Sequence, residues 1–211
     1  QNQVEKVSDH LFKQGAMVIP GQVAIDTEYT SIKLTSKSAT SLSTYNSTTL
    51  TGGTSGVVAE VVGISVADGT DPDTLFIKYK KAGTDNTAQV FQAGETVTSN
   101  ATGSPTLVVA TTHTGSAAAI EAGVYYINGF HVNVDSSTLV LDKYTNSPSY
   151  RVGLTVTESF VTPNDDTTLN DNAQGTSNVN APGAHRFKVD LTLAKKTLTS
   201  TEDNNFVELL R

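Results

Sequence analysis

The stretch YRVGLTVTESF, residues 150–160, decides the fold class because its apolar and polar side chains alternate. Only Glu158 interrupts the apolar face of this stretch. The segment RFKVDLTL, residues 186–193, repeats the alternation. The apolar positions of the two segments are Tyr150, Val152, Leu154, Val156 and Phe160, then Phe187, Val189, Leu191 and Leu193. Strict alternation predicts strands with one buried and one solvated face, as in antiparallel sheets.

Shorter strand signals surround these two segments. In residues 123–134, Asn128-Gly129 separates two apolar runs, which is the strongest short-range signal for a β-hairpin. Residues 138–142 (TLVLD) predict the next strand. Five further strand-like runs, with turn residues between them, are 57–66 (VVAEVVGISV), 74–80 (TLFIKYK), 88–91 (AQVF), 94–98 (GETVT) and 106–111 (TLVVAT). Five strands at this spacing are enough for a small barrel or sandwich.

The domain organisation follows from residues 36–56 (SKSATSLSTYNSTTLTGGTSG), which are almost all Ser, Thr and Gly and predict a linker or a domain junction. We therefore expect a discontinuous β core domain from residues 1–48 and 117–211. A small β module, residues 50–115, is inserted in it. The fold class is mainly β, with an antiparallel sheet or sandwich core, a short N-terminal helix and a barrel-like insert.

The N-terminal segment has helical rather than strand periodicity. Val4, Val7, Leu11 and Phe12 recur at helical spacing and predict a short amphipathic helix that ends near Gly15. A helix of about ten residues is marginal in water. We therefore expect it to dock on its own domain or on a symmetry-related copy.

Composition excludes several classes of function. The net charge is −7, and Lys and Arg do not cluster, so nucleic acid is not an expected partner. There are no cysteines, which excludes disulfides, a cysteine nucleophile and thiolate metal sites. No apolar run approaches the roughly 20 residues that span a bilayer, so we expect no membrane insertion. The chain starts at Gln1 and stops in an apolar run, which suggests a piece of a longer protein.

Several motifs occur in order between residues 120 and 195. They are residues 123–132 (GVYYINGFHV), 139–142 (LVLD), 151–153 (RVG), 171–175 (DNAQG) and 181–184 (APGA), followed by Arg186. Together they resemble a domain of tail and virion structural proteins of large contractile-tailed bacteriophages, including T-even-like phages of cyanobacteria. Residues 14–23 are weakly similar to the same domain. Residues 54–61 (TSGVVAEV) and 91–97 (FQAGETV) resemble a small β module of phage appendage proteins.

This resemblance implies a non-enzymatic structural building block in the virion, located in the tail, baseplate or tail fibre. It implies no active site and no cofactor. The expected partners are further copies of the chain, as a trimer, and other phage tail or baseplate proteins. The alternative function is a host-receptor or carbohydrate-binding adhesin module of a tail fibre, with the insert as the contacting head.

The loop at residues 162–185 is rich in Asn, Asp, Gly and Pro and is long for a compact domain. We expect this loop and the N-terminal helix to contact neighbouring subunits. The candidate contact residues are Asp165, Asp166, Asp171, Asn172 and His185. Carboxylates here could supply oxygen ligands to Ca²⁺, but the loop lacks EF-hand spacing. Side chains that bond their own backbone are the favoured interpretation.

No residue pattern predicts catalysis. The four histidines are scattered, so we expect no metal site. Glu158 interrupts an apolar face, and a buried ion pair with Arg151 or Arg186 is the favoured interpretation over a catalytic role.

Aromatic residues concentrate in the same region, and two interpretations stay open for them. Tyr125, Tyr126 and Phe130 could stack on sugars at a surface. Packing in the core of a sheet is favoured, because each ring buries a large apolar area.

Overall fold

The computed structural model describes residues 2–84, 86–170, 183–201 and 203–211, with side chains from Lys6 onward. Helix α1 spans Asn2–Leu11, and two short 3-10 helices span Leu42–Tyr45 and Thr167–Leu169. The strands are β1 Ala16–Ile19, β2 Val23–Lys37, β3 Thr49–Gly52, β4 Val58–Ser65, β5 Thr74–Lys81, β6 Thr96–Ser99, β7 Thr106–Ile120, β8 Gly123–Ile127, β9 Phe130–Val134, β10 Ser137–Asp142, β11 Tyr150–Val161, β12 Arg186–Thr197 and β13 Phe206–Leu210. The predicted mainly β class with one short N-terminal helix is confirmed.

The chain divides into two compact units. The first, called the core unit, comprises Gln1–Ala24, Ala119–Leu139 and Ser149–Arg211. The second comprises Ile25–Ala118 and Val140–Pro148. The second unit contains the predicted insert, residues 50–115, and adds chain on both sides of it. The reason is that the long strand β2 pairs with β5, Ile32 lying opposite Leu75, and so belongs mostly to the second unit.

Two three-stranded antiparallel sheets, in the orders β1-β8-β9 and β12-β11-β13, give the core unit a sandwich-like arrangement. The strands predicted at 150–160 and 186–193 are β11 and β12. They pair along their whole length, from Tyr150 opposite Thr197 to Val161 opposite Arg186. Val152, Leu154 and Val156 are buried, as alternation predicts for one face.

The β8–β9 hairpin forms at Asn128-Gly129, as predicted. Both residues have positive φ angles, 49° for Asn128 and 86° for Gly129. This turn geometry matches the right-handed twist of the flanking strands. The register then places Tyr126 opposite His131 and Ile127 opposite Phe130.

The second unit is built on a sheet with the order β10-β7-β2-β5-β4-β3-β6, in which β6 also pairs with β7. That additional pairing closes six of the strands into a barrel. Residues 88–91 are not a strand. The buried core includes Ile32, Leu50, Leu75, Ile77, Phe91, Val97, Leu107 and Val109.

The prediction of a linker at residues 36–56 is wrong. Leu42, Tyr45 and Leu50 are buried in the core of the second unit. The Tyr45 hydroxyl donates a hydrogen bond to the Thr106 carbonyl oxygen at 2.7 Å. Three well-spaced apolar side chains are enough to anchor a segment whose other residues are small and polar. Among the described residues, no helix is long and apolar enough to cross a membrane.

Candidate assembly surface

Three phenylalanines form an exposed aromatic patch at one end of the β11–β12 ribbon. Phe160 and Phe187 lie directly opposite each other in the register. The Phe187 ring centroid lies 5.6 Å from those of Phe160 and Phe130. The exposed fractions are 66% for Phe160, 44% for Phe187 and 43% for Phe130. The term aromatic patch refers below to these three residues.

The patch exists because the apolar face of the ribbon continues beyond the core. Along β12, Leu193 is buried, Leu191 and Val189 are half-buried, and Phe187 is exposed. The alternation of apolar and polar side chains is the same along the whole strand. Among the described residues, only the amount of structure packed over the apolar face decreases towards Phe187. Single exposed apolar residues are normal on proteins. A contiguous cluster of aromatic rings is typical of an interaction surface.

A chain of polar side chains borders the aromatic patch. The Asn128 amide nitrogen donates to Glu158 Oε1 at 2.8 Å. Gln14 Nε2 donates to Asn128 Oδ1 at 2.8 Å, and Gln14 Oε1 accepts from the Asn128 backbone N–H at 2.9 Å. Glu158 precedes Phe160 by two residues and therefore shares its face of β11. The turn of the β8–β9 hairpin is thus fixed to the ribbon beside the patch.

The predicted ion pair of Glu158 with Arg151 or Arg186 is wrong. Glu158 is exposed, and its partner is Asn128. The physical reason is that β11 extends past the hydrophobic core at this position, so its side chains are exposed to solvent. A carboxylate there remains hydrated and needs no buried cation.

Arg151 is buried and forms hydrogen bonds with two carboxylates later in the chain, those of Asp203 and Glu208. Its guanidinium donates to Glu208 at 2.5 Å, to Asp203 at 2.9 Å and to the Ser200 carbonyl at 2.8 Å. These hydrogen bonds lower the pKa values of Asp203 and Glu208 and raise the pKa of Arg151. The network ties β11 to β13 and to the turn before it.

The aspartates of the predicted contact set bond their own loop. Asp165 accepts from the Thr162 backbone N–H at 3.0 Å, and its hydrogen bonds to Thr162 lower the pKa of Asp165. Asp166 accepts from the Thr168 hydroxyl at 2.6 Å and caps the 3-10 helix, which lowers its pKa. His185 is exposed.

Asp171 and Asn172, the other members of the set, lie outside the described residues. Contact of these five residues with a second subunit stays a prediction.

The aromatic residues that were candidates for sugar stacking separate into two environments. Tyr125 and Tyr126 are buried in the core unit, and their hydroxyls donate to the Gly21 carbonyl and the Asp9 carboxylate. Their ring faces are therefore not open to a ligand. Phe130 is exposed as part of the aromatic patch. The alternation predicts burial for Phe160 and Phe187, and this prediction is wrong because both are exposed. Nothing in their spacing indicates exposure.

A polar cleft of about 350 Å³ lies in the core unit between residues 133–139 and β12. Five polar side chains that line it make no hydrogen bond to another described residue, and these are Asn133, Asp135, Ser137, Thr138 and Thr192. Leu139 and Leu191 supply apolar wall. Within the described part of the chain, no group of three or more His, Cys, Asp or Glu could hold a metal ion.

Residues 74–209 match a family model described as a domain of unknown function, DUF4815. The chain belongs to this family. No curated protein and no solved structure matches the chain. The match to DUF4815 includes the whole aromatic patch and the β11–β12 ribbon, whereas α1 precedes it.

Proposed function

We propose that this DUF4815 chain is a structural, non-enzymatic module of a bacteriophage virion appendage. It acts as a connector in a tail, baseplate or tail fibre, and it assembles as a homo-oligomer, a trimer, beside other tail or baseplate proteins. The aromatic patch is the observation that carries the assembly role. The resemblance of residues 120–195 to phage tail and virion proteins supports the location.

The size of the aromatic patch supports an assembly role. Each phenylalanine buries about 150–250 Å² when it is fully covered. At the observed exposures, the patch offers about 300 Å² of ring surface. At about 25 cal/mol per Å², covering it completely contributes at most roughly 7 kcal/mol per copy, from which the costs of ordering and desolvating the contact are subtracted. This is comparable with the free energy that association requires for lost rigid-body motion, about 4–15 kcal/mol.

The charges near the aromatic patch are mixed, although the chain carries a net charge of −7. Both signs occur at this end of the ribbon: Glu158 and Asp190 are acidic, and Arg186 and Lys188 are basic. Lys188 and Asp190 form an ion pair at 2.9 Å. Arg186 and Lys188 therefore offset part of the acidic charge at this end, which also includes Asp165 and Asp166.

The assembly role is tested by removing the rings while keeping the strands. We expect Phe160→Ser and Phe187→Ser to convert the oligomer to monomer in light scattering coupled to size exclusion. Leu198→Ser is the matched control, because Leu198 and Phe187 are both 44% exposed. We expect the control to leave the oligomer mass unchanged. Circular dichroism checks that all three variants keep their strands. An equal mass for Phe variants and control would contradict the proposal.

The second candidate function is a carbohydrate- or receptor-binding module of a tail fibre. The polar cleft favours it, because its unpartnered amide, hydroxyl and carboxylate groups can bond sugar hydroxyls. A glycan array probed with the unaltered chain and with an Asn133→Ala, Asp135→Ala double variant separates the two functions. If the unaltered chain binds a glycan and the double variant does not, the result favours the binding module. If neither chain binds, the result favours the connector.

A further inference from the structure

Within the core unit, helix α1 packs on the β8–β9 hairpin through polar side chains. Ser8 is buried, and its hydroxyl lies 3.5 Å from His131 Nε2. The Asp9 carboxylate accepts a hydrogen bond from the Tyr126 hydroxyl. Phe12, which follows the helix, packs on Tyr126 with ring centroids 5.8 Å apart. The core unit therefore holds the side of α1 that carries Ser8 and Asp9.

The apolar side of α1 faces solvent. Val7 is 57% exposed and Leu11 is 70% exposed, and the two lie one turn apart. A surface helix ordinarily buries its apolar stripe against its own domain. This helix has the opposite orientation, so its apolar stripe, Val7 and Leu11, has no cover within the described residues of the chain.

The sequence spacing indicates what kind of surface fits this stripe. Val4, Val7 and Leu11 follow one another by three and four residues, the a–d spacing of a helix–helix seam. A helix that packs on a sheet ordinarily shows a wider apolar face. The charges of residues 2–13 also cancel, with Glu5 and Asp9 against Lys6 and Lys13. A second copy of the same helix therefore meets no net repulsion.

The area of the aromatic patch also calls for a second apolar contribution. A stable interface buries roughly 800 Å² per partner, and more than half of that area is apolar. The aromatic patch supplies about 300 Å². Val7 and Leu11, which are both more than half exposed, add to this apolar area. Together the two surfaces approach the apolar area of a standard interface, which the patch alone does not.

Polar contacts link the two surfaces within the core unit. Gln14 follows Leu11 by three residues and is bonded to Asn128. Asn128 also bonds Glu158, beside Phe160 of the aromatic patch. From these contacts we infer that the Val7–Leu11 stripe packs against α1 of a second copy of this chain. The inference rests on the proposed self-assembly and names the second element of its interface.

Cysteine cross-linking tests the inference directly, because the chain contains no cysteine. A cyclic trimer has no two-fold axis, so its copies of α1 pack in parallel. A parallel seam places the same residue of each copy in the same layer, so Val7→Cys brings two thiols together. A disulfide forms only where the Cα atoms approach within about 7 Å. Under mild oxidation of the full chain at micromolar concentration, we expect a covalent dimer on a non-reducing gel. Leu198→Cys, the matched exposed control, should stay uncross-linked.

The outcomes separate this inference from the function on which it rests. An oligomer in light scattering that gives no Val7→Cys dimer overturns the helix pairing and leaves the assembly role standing. Equal cross-linking of Val7→Cys and Leu198→Cys also overturns it, because random collision then explains the product. A monomer in light scattering overturns both. We further expect Leu11→Ser to weaken self-association at least tenfold.

Discussion

Glu95 is the buried carboxylate that holds two turns of the second unit together. It accepts from the backbone N–H groups of Ser55 at 2.9 Å and Gln92 at 2.7 Å, and from the Ser55 hydroxyl at 3.0 Å. Glu95→Ala removes the acceptor of those N–H groups at a buried site, and their hydrogen bonds are lost. We expect the free energy of unfolding to fall by about 2–4 kcal/mol. Urea denaturation followed by circular dichroism measures this change.

The control for Glu95→Ala is Glu28→Ala, in the same unit. Glu28 is exposed, and its side chain makes no hydrogen bond to another described residue. We expect its replacement to change the free energy of unfolding by less than about 0.5 kcal/mol. Equal effects of the two substitutions would mean that the carboxylate bonds of Glu95 do not stabilise the fold.

Arg151 should make the stability of the core unit depend on pH in acid. Its hydrogen bonds lower the folded-state pKa values of Asp203 and Glu208 below the ordinary 3.8 and 4.5. A lowered folded-state pKa stabilises the fold above the ordinary value, and the stabilisation is lost as the pH falls through the folded-state value. We expect the stability difference between the unaltered chain and Arg151→Met to shrink below about pH 4.

Urea midpoints measured from pH 7 to pH 3 test this dependence. Arg186→Met serves as the control, because Arg186 is exposed and lies 4.0 Å from Asp166. That substitution should show little dependence on pH. A difference between the unaltered chain and Arg151→Met that stays constant down to pH 3 would argue against the carboxylate network.

The β8–β9 hairpin is an element whose stability depends on one glycine. Gly129 has a φ of 86°, and no described residue lies within 4 Å of the position that a Cβ would take there. The penalty for Gly129→Ala is therefore conformational rather than steric, about 1–2 kcal/mol. Thermal unfolding should show the loss, whereas Ser136→Ala, in the exposed connection between β9 and β10, should be nearly neutral. A neutral Gly129→Ala would mean that the turn relaxes to another type.

The elements were more predictable from sequence than their environments. The alternation in β11 and β12 gave the strands and the shared faces correctly, because side chains in a strand repeat every two residues whatever covers them. Cover depends on which other elements reach that face. The exposure of Phe160, the outward stripe of α1 and the true partner of Glu158 were therefore beyond prediction. The buried Tyr45 was missed because its Ser- and Thr-rich surroundings resemble a linker.

At the scale of the whole molecule, the proposed assembly is driven by apolar contact in an acidic chain. Salt screens the repulsion between copies that each carry a net charge of −7. It does not weaken the free energy gained by burying apolar surface. We expect the oligomer to persist or strengthen when NaCl is raised from about 50 to 500 mM. Dissociation over this range would indicate an interface held by ion pairs instead. Sedimentation velocity at both salt concentrations decides between the two.

Self-assembly of this DUF4815 chain is a proposal that its mass in solution decides. Light scattering coupled to size exclusion, on the unaltered chain at micromolar concentration, gives that mass without a standard. We expect a trimer or another symmetric oligomer of the 22.2 kDa chain. A single monomeric species at every concentration tested would contradict it, and would shift the weight to the binding module and its polar cleft.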